Sequence, residues 1–175
     1  MTATGEPALD RSVLRRVFGT FATGVTVVTV GGGEPHGMTA NSFTAVSLDP
    51  PLLLVCVEHD AVMHEALVAA GRFAVSVLAA GHGPVARYFA DRRRPLGGEQ
   101  FVSVDVHPGE HTGAPLIDGA LAHFECALWN AYDGGDHTIF IGRLLDARCG
   151  EDDAALLFHR GRLSPADRDP SGVAA

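Results

Sequence analysis

The sequence predicts a mainly β fold with peripheral helices, arranged as an antiparallel barrel, and three observations carry that prediction. β-Branched and apolar runs of strand length recur along the chain, beginning with residues 25–30. Short turns join most of them, among them Gly31-Gly32-Gly33, Asp49-Pro50-Pro51 and Asp133-Gly134-Gly135-Asp136. Strands do not alternate with long helices, which disfavours a parallel, doubly wound sheet.

The elements follow in order. Leu9, Val13, Val17 and Phe21 recur every four residues beside Leu14 and Phe18, forming one helical face that Gly24 is expected to end. Residues 25–30 are a strand, and the three glycines turn it into a second extended stretch from His36 to about Val46. Residues 52–57 read as a buried strand, 61–70 as a helix stopped by Gly71, and 73–78 as another strand. Residues 84–90 form a short helix with Pro84 in its first turn. The arginine-rich stretch 92–100 reads as a solvated polar loop, and 102–107 alternates like a short strand. Residues 120–132 and 137–148 make a second hairpin. Asp152 or Asp153 is expected to cap a last helix over 154–159, which Gly161 ends. The outcome is six or seven strands in one domain over residues 9–163, with 1–8 and 164–175 as flexible termini.

Composition narrows the function. At 175 residues, 46% hydrophobic and 19% charged, the chain can bury one real core. A net charge of −8 argues against nucleic acid or an anionic membrane as the main partner. Residues 1–10 lack a basic region followed by an apolar run, so no secretory signal is expected, and the longest apolar run is too short to span a bilayer. Cys56, Cys126 and Cys149 make an odd count without a CxxC pair, which fits reduced thiols in a cytoplasm.

Several signatures are missing: GxGxxG, GxxxxGK[ST], GxSxG and HExxH. No metal is expected, because the histidine spacings bring no second ligand pair. Residues 37–43 offer hydroxyls, an amide and little bulk, which suits a planar heterocycle rich in carbonyls and ring nitrogens; an edge strand with a polar outer face is the alternative. Asp136-His137 at a hairpin mouth is either a turn pair or a site. His159, Arg160 and Arg162 at the expected helix end would either grip phosphate or offset the helix dipole.

Six segments then stand in register: 15–29 with Phe21-Ala22-Thr23-Gly24, 37–44, 47–52, 71–75, Gly134-Gly135-Asp136-His137, and Phe158-His159-Arg160-Gly161. Together they resemble the flavin reductase-like family, the reductase components of two-component flavin monooxygenases. The resemblance implies a split β-barrel of the FMN-binding type that works as a homodimer, binds FAD or FMN, and uses NADH or NADPH. It implies that Thr39, Ala40, Asn41, Ser42 and Phe43 line the flavin ring and ribityl chain. Val55, Cys56 and Val57 would add backbone contacts, with Phe89 and Ala90 near the phosphate. Asp136 and His137 match the family's GDH motif on the nicotinamide side, as do His159, Arg160 and Gly161, and His137 is the expected catalytic residue. Two segments depart from the pattern: residues 58–63 are acidic and apolar where relatives often carry Ser and Thr, and Leu163 stands where an aromatic often does.

The expected function is hydride transfer to flavin, which is then released to a partner monooxygenase. Hydride transfer needs the reacting atoms about 3–3.5 Å apart, so placement supplies much of the rate. The alternative is a non-catalytic flavin- or haem-binding protein on the same barrel. An oxidase of the pyridoxine-phosphate type would want convergent Lys and Arg, and this chain has no lysine.

Overall fold

The structure is a computed structural model and describes residues 9–150 and 154–166. It opens with helix α1 (Arg11–Phe18), whose first turn is capped by Asp10 accepting from the N–H groups of Ser12 (2.7 Å) and Val13 (3.2 Å). The helix ends at Gly19 rather than Gly24, and none of its residues is buried. Strands β1 (Thr23–Gly24), β2 (Thr26–Val30), β3 (His36–Ala40), β4 (Thr44–Leu48) and β5 (Pro51–Glu58) follow. Helix α2 (Val62–Ala70) stops at the left-handed Gly71, and β6 (Arg72–Val77) leads to helix α3 (Gly83–Ala90). Strands β7 (Val106–Pro108) and β8 (Pro115–Ile117) form a small hairpin before the long pair β9 (Ala122–Asp133) and β10 (His137–Cys149). The last strands are β11 (Leu156–His159) and β12 (Arg162–Pro165).

The main sheet has seven antiparallel strands in the order β3-β2-β6-β9-β10-β5-β4. Its two edge strands, β3 and β4, are joined by residues 41–43 alone. A flat sheet would hold those edges about 29 Å apart, at about 4.8 Å per strand. The connection reaches about 14 Å at most. The sheet must therefore curl until its edges nearly meet, which yields an open barrel instead of a layer. The predicted single stretch from 36 to 46 is thus two strands on opposite edges.

Inside the curl, Val28, Leu53, Val55, Val57, Phe73 and Phe140 pack with Met63 and Leu67 of α2. The alternation of β5, with 53, 55 and 57 buried and its neighbours only partly so, places that core by simple pleat. A second cluster, built on Val25, Val27, Leu78, Phe89, Ile117 and Leu156, lies under α3 and the three-stranded sheet β1-β11-β12. At the β9–β10 bulge Gly142 is required by contact: a Cβ there would stand 2.5 Å from Phe73 Cζ and 2.9 Å from Cys126 Cβ.

Three sequence expectations are corrected. The stretch 156–165 is a hairpin, not a helix ended by Gly161. Arg160 (φ 49°) and Gly161 (φ 79°) form a two-residue turn with both φ values positive. A glycine after a polar residue serves equally as a helix stop or as this turn, since both need the left-handed conformation. The expected Asp152 or Asp153 cap lies outside the described residues, as do 1–8 and 167–175. Strand 102–107 is reduced to β7, and its partner β8 was not anticipated. Stretch 92–100 is not simply solvated: it leads into a 3-10 turn, Gly97–Phe101, and buries Gln100 completely.

Candidate active site

The curl leaves a cavity of about 370 Å³ where the two sheet edges approach. Residues 39–42 and Cys56 form one side, and Phe89 and Ala90 of α3 with Arg92 and Arg94 form another. The Ser42 hydroxyl accepts from the Cys56 N–H (3.0 Å) and donates to the Cys56 carbonyl (3.1 Å), bridging the seam between 41–43 and β5. Thr39 Oγ1 donates to the Ala86 carbonyl (2.7 Å) and ties β3 to α3. Both hydroxyls therefore hold the walls. Since Gly37 turns its N–H to Gln100 (2.9 Å) and its carbonyl to Arg94, the strand alternation points the N–H and carbonyl of Thr39 to the same open edge.

Arg94 is held from several directions. It donates to the carbonyls of Gly37 and Asp91 (2.8 Å for Asp91), approaches His36 Nε2 at 3.1 Å, and lies 5.8 Å over the Phe89 ring. Its Nε is buried without a protein partner, on a residue that borders the cavity. Burial, then the neighbouring Arg94 charge, push the His36 imidazole down to about 4, so the ring is neutral and its Nε2 accepts from the guanidinium. Arg92 pairs with Glu58 at the rim.

A larger depression of about 1080 Å³ adjoins the first, bounded by Arg15, Phe18 and Thr20 on one side and Phe158, Arg160 and Gly161 on the other. The Arg160 N–H donates to the Gly19 carbonyl (2.7 Å), fixing the hairpin turn against the end of α1. Asn41 and His137 border both hollows. His137 Nδ1 lies 2.7 Å from Asp136 Oδ1, and Asp136 Oδ2 accepts from Arg11 (2.8 Å). The hydrogen bond from His137 holds the Asp136 carboxyl below the usual carboxylate range, with Arg11 assisting. The carboxylate thus keeps the proton of a neutral ring on Nδ1 and leaves Nε2 with its lone pair.

Residues 18–167 match the family model described as "Flavin reductase like domain". The chain belongs to the flavin reductase-like family. It is 61% identical over 154 residues to the NADH-dependent FAD reductase of Streptomyces globisporus, covering 88% of this chain and 85% of that protein. Among solved structures, BorF, the flavin reductase component of a bacterial two-component tryptophan halogenase, superposes with a TM-score of 0.88 at 58% identity, covering 91% of this chain and all of that one. The Streptomyces globisporus C-1027 NADH:FAD oxidoreductase SgcE6, solved in complex with NAD and FAD fragments, gives 0.87 at 56%, covering 92% of this chain and 95% of that one.

In this flavin reductase-like chain the residues named from sequence fall into four groups. Thr39, Ala40, Asn41, Ser42, Cys56, Phe89, Ala90 and His137 share the first cavity, and His137, Arg160 and Gly161 share the second. Asp136 borders neither cavity and is hydrogen-bonded to His137. Phe43, Val55, Val57 and His159 border neither. Phe43 packs on the core 5.4 Å from Phe124, and the Val55 and Val57 side chains are fully buried. Because Cys56 directs its backbone to Ser42, alternation directs theirs to β10. His159 is exposed at the end of β11. Sequence reasoning missed Arg92 and Arg94, which tertiary contacts alone bring to the cavity.

The donor set fits a flavin phosphate: an unpartnered buried guanidinium nitrogen beside a cavity whose other side is closely approachable backbone. Elsewhere, ligand atoms of His111, Glu125 and Asp146 lie within 4.8 Å of one another. There Glu125 already accepts from the N–H groups of His111 and Thr112, and Asp146 is paired with Arg148, so the trio is tied into the fold by its own contacts.

Proposed function

We propose that this flavin reductase-like chain oxidises NADH and reduces FAD, with FMN and NADPH as the other pair, and passes reduced flavin to a separate flavin-dependent monooxygenase. The observation that carries this reading is the junction at Asn41 and His137, where a cavity suited to a flavin meets a depression suited to a dinucleotide. The relative named an NADH-dependent FAD reductase supports the cofactor choice, and the one named as a component of a two-component system supports the separate partner.

Bound flavin supplies the electron-accepting ring. The chain's own residues supply placement. Residues 39–42 and Cys56 present main-chain groups to the ring, and the edge N–H of Thr39 is a fixed donor for negative charge that develops there. Arg94, with Arg92, meets the phosphate, beside Phe89 and Ala90. His137, oriented by Asp136, with Arg160 and Gly161, positions the nicotinamide. No residue is required to remove a proton.

A homodimer belongs to the same proposal. Helix α1 carries apolar side chains yet buries none of them, leaving Val17 and Phe18 at 54% and 71% exposure, with Phe21 just beyond it at 77%. A cytoplasmic site fits three free thiols.

The test is steady-state oxidation of NADH and NADPH with FAD, FMN or riboflavin added. Flavin-dependent turnover is expected, fastest with NADH and FAD. No turnover with any pair overturns the reductase reading and leaves the flavin-binding alternative.

A further inference from the structure

A small hollow of about 110 Å³ lies between the β7–β8 hairpin and the β9–β10 ladder, and it shares no bordering residue with the two hollows of the candidate active site. Pockets for organic ligands span about 300–1,000 Å³, so this one has room for a hydrated ion and not for a nucleotide. Its charged borders are Glu110, Glu125, Asp146 and Arg148. Three carboxylates thus face one guanidinium, two negative charges in excess.

Glu125 and Asp146 are register partners where the β9–β10 ladder shifts for the second time. Like charges directly opposite each other on neighbouring strands are destabilising. Glu125 is 3% exposed, and its hydrogen bonds all fall on one oxygen. Oε2 accepts from the N–H groups of His111 (2.9 Å) and Thr112 (2.7 Å) and from the Thr112 hydroxyl (2.7 Å). Gly109 keeps the room for this carboxylate, since a Cβ there would stand 2.7 Å from Glu125 Cδ. Asp146 meets Arg148 through Oδ2 (2.7 Å), and Arg148 also reaches Glu110 (2.8 Å). These contacts leave the second oxygen of Glu125 and of Asp146 for another partner. The exposed His111 imidazole completes the group, with ligand atoms of all three residues within 4.8 Å of one another. The three come from the β7–β8 loop, β9 and β10, so no histidine spacing in the sequence announces them.

We propose that His111, Glu125 and Asp146 bind one zinc ion, which clamps the β7–β8 loop to the β9–β10 ladder. Zinc takes imidazole nitrogen and carboxylate oxygen at about 2.0–2.2 Å, and it accepts three protein ligands with water in the fourth position. Around a tetrahedral ion such ligands stand about 3.4 Å apart, and the exposed His111 ring has room to close on the two carboxylates. Magnesium and calcium take about six or more oxygens, whereas imidazole suits zinc. The two charges of the ion match the excess of carboxylate around it. The site stands apart from flavin and nicotinamide and does not rest on the reductase reading.

The test is calorimetric titration of zinc chloride into the full chain without a histidine tag, with thermal unfolding followed over the same zinc concentrations. One zinc ion per chain is expected, with a thermal midpoint that climbs as zinc is added, since the ion binds the folded state. Magnesium chloride should bind at least about tenfold more weakly. Loss of an outer partner alone costs a metal site about 10–100-fold, so His111→Ala, at an exposed position, should raise the zinc dissociation constant at least about tenfold and abolish most of the thermal shift. Asp146→Asn should do the same. His59→Ala, an exposed histidine outside the trio, should leave zinc affinity within about twofold. Absence of zinc binding by the unaltered chain, unchanged affinity in His111→Ala, or an equal loss in His59→Ala overturns the assignment.

Discussion

Asp136 Oδ1 and His137 Nδ1 stand 2.7 Å apart at the mouth of the β9–β10 hairpin, and Arg11 holds the other carboxylate oxygen at 2.8 Å. A ring fixed at one nitrogen can present the other in a constant direction. His137→Ala should therefore raise KM for NADH about tenfold or more and change KM for flavin little. The reverse pattern removes His137 from the nicotinamide side.

Asp136→Asn keeps the size of the side chain but offers an amide in place of the carboxylate. kcat/KM for NADH should fall about tenfold, with flavin binding unchanged. Because His137 holds Asp136 below the usual carboxylate range, an NMR titration should find its carboxyl still ionised where ordinary carboxylates protonate.

Arg94→Met retains much of the aliphatic stem while removing the guanidinium that lies over Phe89. Calorimetry should show dissociation constants about tenfold higher for FMN and FAD, and nearly unchanged for riboflavin, which has no phosphate. Equal weakening of all three would assign Arg94 to the wall alone. The variant should also unfold at lower denaturant, by about 1–3 kcal/mol, because the carbonyl of Gly37 and the Nε2 of His36 lose their donor.

His36 is buried as the neutral ring and titrates near 4, against 6.5 for the unfolded chain. Between those values the unfolded chain binds the extra proton, so stability rises with pH across the window and is lost as pH falls through it. The thermal midpoint should climb between about pH 4 and pH 6.5. His36→Gln, which keeps an acceptor for Arg94, should flatten that climb.

Gly142→Ala introduces a Cβ against Phe73 and Cys126 in the barrel core. Overpacking of this kind costs about 1–3 kcal/mol, read as a lower denaturation midpoint. Flavin affinity of the folded fraction should be unaltered, since Gly142 borders neither hollow.

The parts of this molecule written in local pattern were legible from sequence. The alternation of 53, 55 and 57, the turn at 133–136 and the unusual residues 37–43 each announce themselves within a few positions. What distance decides was not. Arg94 looks solvated in the run Arg92-Arg93-Arg94 until the Gly37 carbonyl, His36 and the Phe89 ring are brought against it. Residues 156–159 look helical until β1 pairs with them. The face of α1 was read correctly as apolar, yet none of its residues is buried among the described residues.

Ser42 holds a gap in the barrel with one hydroxyl, where a further strand would have placed a full ladder of main-chain bonds. In the proposed reading, recognition there draws on peptide groups, which every residue type carries. Side chains around the seam are therefore free to drift in the course of evolution without erasing the capacity to bind a heterocycle. The hydroxyl that spans the gap is not free in this way, because it partners both main-chain groups of Cys56.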